Sequence, residues 1–409
     1  MNICVIGGGA SGSLCAIELA SRGHIVTLYE KNDKIGKKLY ITGKGRCNLT
    51  NTATGNAFLA NVVHGGKFLL SSETRFNSSD TISKFESFGV PLKIERGNRV
   101  FPQSDKSSDI IKALEAQLKR QKVKTVFGVA VQGITTSEGK AVGIVVGGKN
   151  ITYDAVVVAT GGLSYPATGS TGDGYKFAKD TGHTIIEPVP SLMGINVLDK
   201  DVTALEGLSL KNVSLSAFDN DKPAFYSEIG EMLFTGGGVS GPLVLTASAS
   251  LNRTSPKNLV LVIDFKPALS MEALENRIAR DILNLGAKQI STLLEGFLPK
   301  SLCPVFANRL GLISTDQANQ LSKTQRARLA FMLKNFKLHV KSFEGFDRAV
   351  VTSGGVNLKQ VSPKDMQSKL VKNLYFIGEV LDIDALTGGF NLQVAFSTAM
   401  ACATNINKQ

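Results

Sequence analysis

A glycine-rich turn near the start of the chain constrains the fold more than any other feature. Residues 2–6 predict a short buried strand, the run GGGASG follows at residues 7–12, and residues 13–21 have a helical pattern. A second apolar run, residues 25–29, ends in Glu30, eighteen residues after Gly12. Strand, glycine turn, helix, strand and terminal acid, in this order, are typical of a dinucleotide-binding βαβ unit.

Each glycine of this turn has its own physical role. Gly7 permits the tight turn, Gly9 lets a pyrophosphate approach the backbone, and Gly12 lets the helix pack closely on the strand. The helix N-terminus faces the phosphates, and Glu30 can accept hydrogen bonds from a ribose. We therefore predict a dinucleotide site. The alternative is a glycine-rich turn in a doubly wound sheet that binds no ligand.

The composition bounds the class of protein. A length of 409 residues suggests two or three domains, and no apolar run has the length of a membrane span. Five dispersed cysteines without a CxxC pair indicate a reducing, cytoplasmic location, and four scattered histidines show no metal-ligand spacing, so we expect no metal. The net charge of +12 favours an anionic partner, with RNA as the candidate and a solvated basic surface as the alternative.

The pattern along the chain predicts an interrupted first domain. Buried runs at residues 155–159 and 374–378 both predict parallel strands, although they lie far apart in sequence, and an alternating run at 123–133 predicts a further strand. Between them, residues 191–265 alternate and are broken by Gly, Pro, Asn and Asp, which predicts an antiparallel barrel or sandwich, and residues 270–335 have helical periodicity. The predicted domains are 1–190 with 348–409, a barrel at 191–270 with 336–347, and a helical part at 271–335.

Three further segments predict a flavin. The loop at residues 36–48 (GKKLYITGKGRCN) has glycines that keep its backbone close to a flat ligand and cations that can neutralise a pyrophosphate. The run ATGG follows the strand at 155–158, and GEVLD at 378–382 precedes TGGFNLQ at 387–393. Asp382 is placed to bind a ribityl or ribose hydroxyl, and the helix starting near Asn391 can stabilise a ring carbonyl that becomes negative on reduction. With the glycine turn, these segments predict one extended FAD site.

These motifs make the chain recognisable. Through residues 7–12, TGKGRCN at 42–48, RVFP at 99–102, ATGG at 159–162, GEVLD at 378–382 and GGFNLQ at 388–393, it closely resembles the YhiN/BaiN family of FAD-dependent flavoproteins. The resemblance implies an α/β fold: a discontinuous Rossmann-like FAD-binding domain with an inserted antiparallel β-barrel domain and a small helical subdomain. It also implies an NAD(P)H oxidoreductase. Activities tied to the family are reduction of conjugated C=C bonds in steroid-like enones and dihydrouridine synthesis in 23S ribosomal RNA.

The motifs supply a set of predicted cofactor-binding residues. We place the proton donor at Cys47, in the flavin loop, with Arg46 and Tyr40 as the other local candidates. The predicted cofactor-binding residues are Gly7, Gly9, Ala10, Ser11, Gly12, Glu30, Lys31, Lys37, Lys38, Thr42, Gly43, Gly45, Arg46, Cys47, Asn48, Val129, Ala159, Thr160, Gly161, Gly378, Glu379, Asp382, Gly388, Gly389, Asn391, Leu392 and Gln393.

One departure from the family pattern concerns the insert. The family has histidine after Leu-Phe-Thr, where this chain has Gly236, so no role of that histidine carries over. The change also creates a second GxGxxG match at residues 236–241. We predict a turn of the barrel there rather than a second nucleotide-binding fold, which is the alternative.

Charge favours RNA as the substrate. We call residues 323–341 the basic segment, because it contains several lysines and arginines and no acid. Phe331, Phe336 and His339 lie between these cations in the sequence. Phosphate contacts can supply affinity for RNA, and aromatic rings can stack an unpaired base. We therefore expect a reductase of uridine in ribosomal RNA, with a small-molecule enone reductase and a non-catalytic flavin-containing RNA-binding protein as alternatives. The predicted RNA-binding residues are Lys323, Arg326, Arg328, Lys334, Lys337 and Lys341.

Overall fold

Two compact units make up the chain, which we describe from a computed structural model for residues 1–406. One unit is Met1–Ser191 with Gly345–Gln409, and the other is Leu192–Glu344. We call them unit 1 and unit 2. Within the described residues, no helix combines the length and apolar character that crossing a bilayer requires.

The secondary structure alternates short strands and helices, numbered here in chain order. The strands are β1 Asn2–Ile6, β2 Ile25–Glu30, β3 Thr50–Asn51, β4 Val62–His64, β5 Leu92–Glu95, β6 Arg99–Pro102, β7 Lys124–Phe127, β8 Gly133–Ser137, β9 Lys140–Val146, β10 Lys149–Thr152, β11 Ala155–Val158, β12 Ile185–Ser191, β13 Ile195–Val197, β14 Ser209–Asp219, β15 Lys222–Tyr226, β16 Gly230–Thr235, β17 Gly238–Ser240, β18 Leu259–Asp264, β19 Phe336–Phe343, β20 Val351–Val356, β21 Leu374–Phe376 and β22 Asp384–Ala385. The helices are α1 Ala10–Ser21, α2 Lys37–Ile41, α3 Gly55–Leu59, α4 Gly66–Arg75, α5 Ser78–Ser87, α6 Ser107–Arg120, α7 Asp173–Asp180, α8 Pro242–Leu251, α9 Met271–Leu285, α10 Ile290–Glu295, α11 Cys303–Leu310, α12 Lys323–Lys334 and α13 Phe390–Asn405.

A five-stranded parallel sheet forms the centre of unit 1. Its strand order is β21-β11-β1-β2-β7, and all four pairings are parallel. Every residue of β11 is buried, as expected where helices cover both faces of a parallel sheet. Because β21 comes from the far end of the chain and pairs with β11, the sheet confirms a Rossmann-like α/β fold assembled from distant segments.

The strand predicted at residues 123–133 is wrong in extent. β7 ends at Phe127, and β8 begins at Gly133 in a different, antiparallel sheet with β9 and β10. Gly128 lies between them with φ +68°, a left-handed conformation that glycine adopts without strain. Its N–H donates to the Asn32 carbonyl at 2.9 Å, so the chain leaves the parallel sheet there.

Unit 2 contains an antiparallel sheet. Its order is β15-β14-β16-β17-β13-β19-β18, and β14 also pairs with β18. β16 and β17 form a hairpin in which Thr235 pairs with Gly238 across Gly236 and Gly237. This confirms the turn predicted for the second GxGxxG match. A Cβ at Gly238 would lie 2.1 Å from the Ile195 carbonyl oxygen, so glycine is needed for strand packing at that position.

One helix of unit 2 lies in a region predicted to contain only strands. α8 begins at Pro242, directly after the β16–β17 hairpin, because proline at the first helical position has its φ already set and needs no hydrogen-bond acceptor. Its apolar residues Leu243, Val244 and Leu251 are buried in the core of unit 2. The antiparallel barrel or sandwich predicted for residues 191–265 did not include this helix, so the prediction is corrected at residues 242–251.

The helices and strands of unit 2 share one hydrophobic core. Phe306 from α11 stacks on Phe336 from β19, with ring centroids 5.1 Å apart and an interplanar angle of 11°. Phe265 packs edge-on against both rings. Phe306 and Phe336 are fully buried, so this trio joins the helices to the sheet.

Truncating the core phenylalanine of β19 tests this arrangement. We expect Phe336→Ala to lower the free energy of unfolding by about 3–5 kcal/mol, because it removes a fully buried ring and leaves a cavity. Phe331→Ala is the control, since Phe331 is 56% exposed and its loss should change stability by less than about 0.5 kcal/mol. Urea unfolding followed by circular dichroism measures both; equal midpoints would contradict the assignment of the core.

Candidate functional site

The glycines of the turn in unit 1 differ in their surroundings: two are closely packed and one is open. A Cβ at Gly7, whose φ is +107°, would lie 2.5 Å from the Ala159 carbonyl oxygen, and one at Gly12 would lie 1.9 Å from the Gly7 carbonyl oxygen. At Gly9, by contrast, no atom lies within 4 Å of the position that a Cβ would take. Gly7 and Gly12 are therefore required by the chain itself, whereas Gly9 leaves space over the turn.

That space lies at the N-terminus of a long helix. Gly9 is the N-cap of α1, and no side chain caps the helix there. The N–H groups of a first helical turn lack intrahelical acceptors, and a helix N-terminus favours negative charge. An open backbone position followed by uncapped N–H groups fits a pyrophosphate, so the turn passes the steric test for a dinucleotide.

Glu30 ends β2 beside this turn. One of its carboxylate oxygens accepts from the Gly8 N–H at 2.8 Å, and the other accepts from the backbone and side-chain N–H groups of Asn32. The Val129 N–H lies 3.4 Å from the Glu30 carbonyl oxygen, which brings this predicted residue to the same strand end. Glu30 thus holds the glycine turn, and the oxygen that accepts from Gly8 retains a lone pair that can accept from a ribose hydroxyl.

The predicted segments from both ends of the chain meet at Lys38 and Glu379. Their side chains form an ion pair of 2.5 Å, with each about one-fifth exposed. Glu379 also accepts from the Ser164 hydroxyl at 2.9 Å and from the Thr352 N–H at 3.0 Å. Lys38 is therefore engaged by a carboxylate, and the pair fixes α2 against the turn that follows β21.

A second junction joins residues 48–51 to residues 388–393. The Asn48 amide fits between the Thr50 carbonyl at 3.1 Å and the Gly389 N–H at 3.0 Å. A Cβ at Gly389 would lie 2.3 Å from the Thr50 backbone, and the Thr50 hydroxyl donates to Gln393 at 2.7 Å. This contact positions the start of α13 next to the loop at 36–48, as the predicted site requires.

Asn391 organises the segment that precedes α13. Its amide accepts from the Ala385 N–H at 2.9 Å and donates to the Ala385 carbonyl at 2.6 Å. Gly378, at the start of the GEVLD run, packs so closely that a Cβ would lie 2.5 Å from the Ser11 hydroxyl. The structure thus brings the glycine turn, the end of β21 and the start of α13 into one region of unit 1.

Several predicted cofactor-binding residues have side chains that already make hydrogen bonds or ion pairs within the protein. Gln393 is fully buried and donates to the Phe76 carbonyl and to Ser397, so its role is structural. Lys31 pairs with Asp173 at 2.7 Å, and Lys37 pairs with Asp33 at 2.8 Å. Their charges are partly compensated within the chain.

Arg46 is held on the β5–β6 hairpin. Its Nε donates to Asp105 at 2.9 Å, its terminal nitrogen pairs with Glu95, and the guanidinium lies 4.3 Å from the centre of the Phe101 ring. The Arg46 guanidinium holds the pKa of the Glu95 carboxyl below its usual range. Through these contacts, Arg46 fixes the loop at residues 36–48 to the β5–β6 hairpin.

The burial of Cys47 argues against its thiol as the proton donor. The residue has no exposed surface, and burial raises the pKa of its thiol to about 12. A group without open surface cannot reach a bound molecule in this conformation. Tyr40, the other local candidate, is 54% exposed and so remains accessible.

A histidine–aspartate pair that the sequence analysis missed lies beside the start of α13. His64 Nδ1 is 2.6 Å from an Asp384 oxygen, and the other Asp384 oxygen accepts from the Ser191 hydroxyl at 3.0 Å. Asp384 has no exposed side-chain surface, whereas 41% of the His64 side chain is exposed. A buried carboxylate fixes the orientation of an imidazole and stabilises its protonated form.

The position of this pair follows from strand pairing. β4 and β22 are antiparallel, with His64 opposite Asp384, and the Leu386 N–H donates to the Asn61 carbonyl at 2.8 Å. β22 directly precedes the TGGFNLQ run. The two residues are 320 positions apart in sequence, so no local pattern could have revealed them.

The basic segment of unit 2 divides into paired and exposed cations. Lys334 donates to Asp264 at 2.7 Å and to the carbonyls of Lys266 and Leu269, which uses all three of its protons. Its predicted contact with RNA is therefore corrected: Lys334 is a structural residue. Arg326 is half-buried, and the other four predicted RNA-binding residues are exposed: Lys323, Arg328, Lys337 and Lys341.

Within residues 1–406, no group of three or more histidine, cysteine, aspartate or glutamate side chains is arranged to hold a metal ion.

Comparison with known proteins places the whole chain in one family. Residues 1–405 match the family described as "HI0933-like protein Rossmann domain". Two curated relatives are each 32% identical to this chain. One is the 3-dehydro-bile acid delta(4,6)-reductase of Clostridium scindens, where the match covers 97% of this chain and 96% of the relative. The other is the ribosomal RNA dihydrouridine synthase of Haemophilus influenzae, with 99% and 98% covered.

A solved structure supports the fold independently. The 3-ketosteroid delta1-dehydrogenase from Sterolibacterium denitrificans, in complex with 1,4-androstadiene-3,17-dione, superposes with a TM-score of 0.53. The match covers 99% of this chain and 98% of that chain, at 13% identity. At this identity the likeness concerns the fold alone.

The glycine turn supplies a matched pair of variants. Gly12→Ala should prevent stable folding, because its Cβ would meet a backbone oxygen at 1.9 Å. Gly9→Ala should fold like the native chain but bind FAD at least about tenfold more weakly, because its methyl group occupies the space left for the phosphates. Thermal unfolding of the apoprotein and fluorescence titration with FAD separate the two effects; unchanged affinity in Gly9→Ala would place the phosphates elsewhere.

Proposed function

This chain belongs to the HI0933-like Rossmann family and is an FAD-dependent oxidoreductase, and from that premise we propose that it reduces uridine to dihydrouridine in 23S ribosomal RNA. NAD(P)H is the proposed reductant. The overall reaction adds a hydride and a proton across the C5=C6 bond of uracil and yields NAD(P)⁺. That bond is conjugated to the C4 carbonyl, so C6 is electron-poor and accepts the hydride.

The exposed cations of the basic segment are the observation that favours RNA as the substrate. Lys323, Arg328, Lys337 and Lys341 are exposed, and residues 323–341 contain no acid that could neutralise them locally. Contacts between such cations and phosphates release counterions and supply affinity for nucleic acid. A small enone, which bears at most a single carboxylate, would need few of these cations. Full-length similarity to a ribosomal RNA dihydrouridine synthase supports the same choice.

Unit 1 supplies the residues that would hold the cofactor. The turn at residues 7–12 and the start of α1 would bind the pyrophosphate, Glu30 a ribose, and residues 387–392 the ring. The chemistry that FAD supplies when bound is hydride transfer to an electron-poor carbon. The N-terminus of α13, a helix of 16 residues, favours negative charge at the ring end of this site.

His64 is the proposed proton donor. Histidine changes its protonation state near neutral pH, and the buried Asp384 carboxylate holds this ring in one orientation. β4 pairs with the strand that directly precedes the proposed ring-binding run, which brings the imidazole to that end of unit 1. In the proposed reaction, His64 delivers the proton to C5 of uracil while C6 receives the hydride.

Reduction of a small enone is the second candidate. It is favoured by the 32% identity, over 97% of the chain, to the 3-dehydro-bile acid delta(4,6)-reductase. An enone and a uracil are both C=C bonds conjugated to a carbonyl, so the same proton donor and the same cofactor serve either substrate. The two candidates differ in whether the basic segment takes part.

Deletion of the gene tests the substrate directly. We expect nucleoside mass analysis of 23S ribosomal RNA to show loss of one dihydrouridine in the deletion strain and its return on complementation. Purified protein should restore it in vitro with FAD and NAD(P)H under anaerobic conditions. Unchanged dihydrouridine in the deletion strain would remove RNA as the substrate, and turnover of a steroid-like enone would then favour the second candidate.

Replacing the proposed proton donor should separate the two half-reactions. We expect His64→Gln to lower the rate of uridine reduction by about 100-fold or more, because general acid catalysis contributes that much. Its flavin should still be reduced by NAD(P)H at the native rate, as followed by anaerobic absorbance. The control is Glu138→Gln, because Glu138 is exposed between β8 and β9 and has no part in the proposed site. A native rate of uridine reduction in His64→Gln would assign the proton to another group.

A further inference from the structure

A cavity in unit 2 is lined in part by exposed cations of the basic segment. It has a volume of about 680 Å³ and lies between α9, α12 and β19. This volume falls within the usual range for small-molecule sites. Its lining residues are Met271, Glu275, Leu310, Thr324, Ala327, Arg328, Phe331, Met332, Asn335, Phe336 and Lys337.

The cavity joins a buried apolar wall to an exposed aromatic ring. Phe336 is fully buried and Leu310 is 5% exposed, so both belong to the core. Phe331 lines the same cavity and is 56% exposed. An exposed ring at the edge of an apolar hollow offers a stacking surface for a flat ligand.

Two cations accompany that ring. Arg328 precedes Phe331 by three positions on α12, which places both on the same side of the helix, and Lys337 enters the cavity from β19. Glu275 of α9 is the one acid among the lining residues. The cavity therefore combines an aromatic face with an excess of positive charge.

The supporting framework is rigid. Ser322 and Gln325 form a reciprocal capping box at the start of α12, and the Asn335 side chain donates to the Phe331 carbonyl at 3.1 Å near its end. Lys334, with its three acceptors, fixes the last turn of the same helix. A ring on a fixed helix loses little conformational entropy when a ligand stacks on it.

Building on the proposed function, we propose that this cavity is a subsite for an unpaired base of the RNA. The base stacks on Phe331, while Arg328 and Lys337 contact the phosphates on either side of it. Single-stranded nucleic acid is commonly bound by this combination of aromatic stacking and cations along the backbone. Charge complementarity favours RNA, which has phosphates on both sides of each base, over a steroid acid with a single carboxylate. It also favours RNA over a second copy of this chain, whose net charge is also +12.

The lack of tryptophan in this chain allows a direct test. In Phe331→Trp, the single indole reports on the cavity, and a base stacked on it quenches its fluorescence. We expect a short single-stranded oligouridylate to quench the emission of the FAD-loaded variant in a saturable way. A steroid-like enone at the same concentration should leave the emission unchanged. Quenching by the enone alone would overturn the proposal.

Affinity measurements provide the second arm. We expect Phe331→Ala to bind the oligouridylate about tenfold more weakly than the native protein, with FAD content and NAD(P)H reduction unchanged. Leu283→Ala is the matched control, because Leu283 is 82% exposed on α9 and does not line the cavity. Arg328→Gln should weaken binding and reduce its salt dependence, whereas Lys222→Gln, on the exposed strand β15, should do neither.

The outcomes separate this proposal from the proposed function. If native protein makes dihydrouridine and Phe331→Ala binds RNA as tightly as native, the subsite is refuted and the function stands. If native protein neither binds RNA nor makes dihydrouridine, both fall. A change from dimer to monomer in Phe331→Ala, measured by analytical ultracentrifugation, would assign the cavity to self-association and overturn the subsite.

Discussion

Close backbone contact between the two ends of the chain is the constraint on which unit 1 depends. Gly7 and Gly12 allow α1 to start directly over the end of the parallel sheet, and Gly389 allows α13 to start against Thr50. Each contact leaves no room for a Cβ. Because the first and last segments meet only in the folded unit, the proposed FAD site exists only when the discontinuous sheet has formed.

Ion pairing decides which of the many cations are available to a ligand. Arg46 is held by Glu95 and Asp105, Lys38 by Glu379, and Lys334 by Asp264 and two carbonyls. These residues stabilise loops and helix ends. The exposed cations of the basic segment, by contrast, are accessible to the phosphates of a ligand. A net charge alone therefore says little about binding until the paired residues are subtracted.

The His64–Asp384 pair changes which residue is proposed as the proton donor. The sequence places Cys47 within the flavin loop, but burial removes its surface, and the imidazole of His64 takes over as the proposed donor. The aspartate comes from β22 and the histidine from β4, two short strands that pair across the unit. A proton donor assembled in this way depends on the same junction of chain ends that positions α13.

Local patterns predicted elements well where the pattern and the packing agree. α9 runs over Met271–Leu285, as its periodicity predicts, since Ser270 caps its start and Gly286 ends it. The strand predicted at residues 123–133 was too long, because the backbone leaves the parallel sheet at Gly128, whose φ is positive. α8 was not predicted because its apolar residues are not confined to one face, so the sequence has no helical periodicity to detect.

The sequence by itself determined the glycine turn, the strand–turn–helix–strand succession at residues 2–30 and the dinucleotide class of the cofactor, because these depend on residues close together in the chain. Only the tertiary structure decided which polar residues are exposed, which cations are paired, and that His64 meets Asp384. Burial and long-range pairing are properties of the packed chain, and no local pattern encodes them.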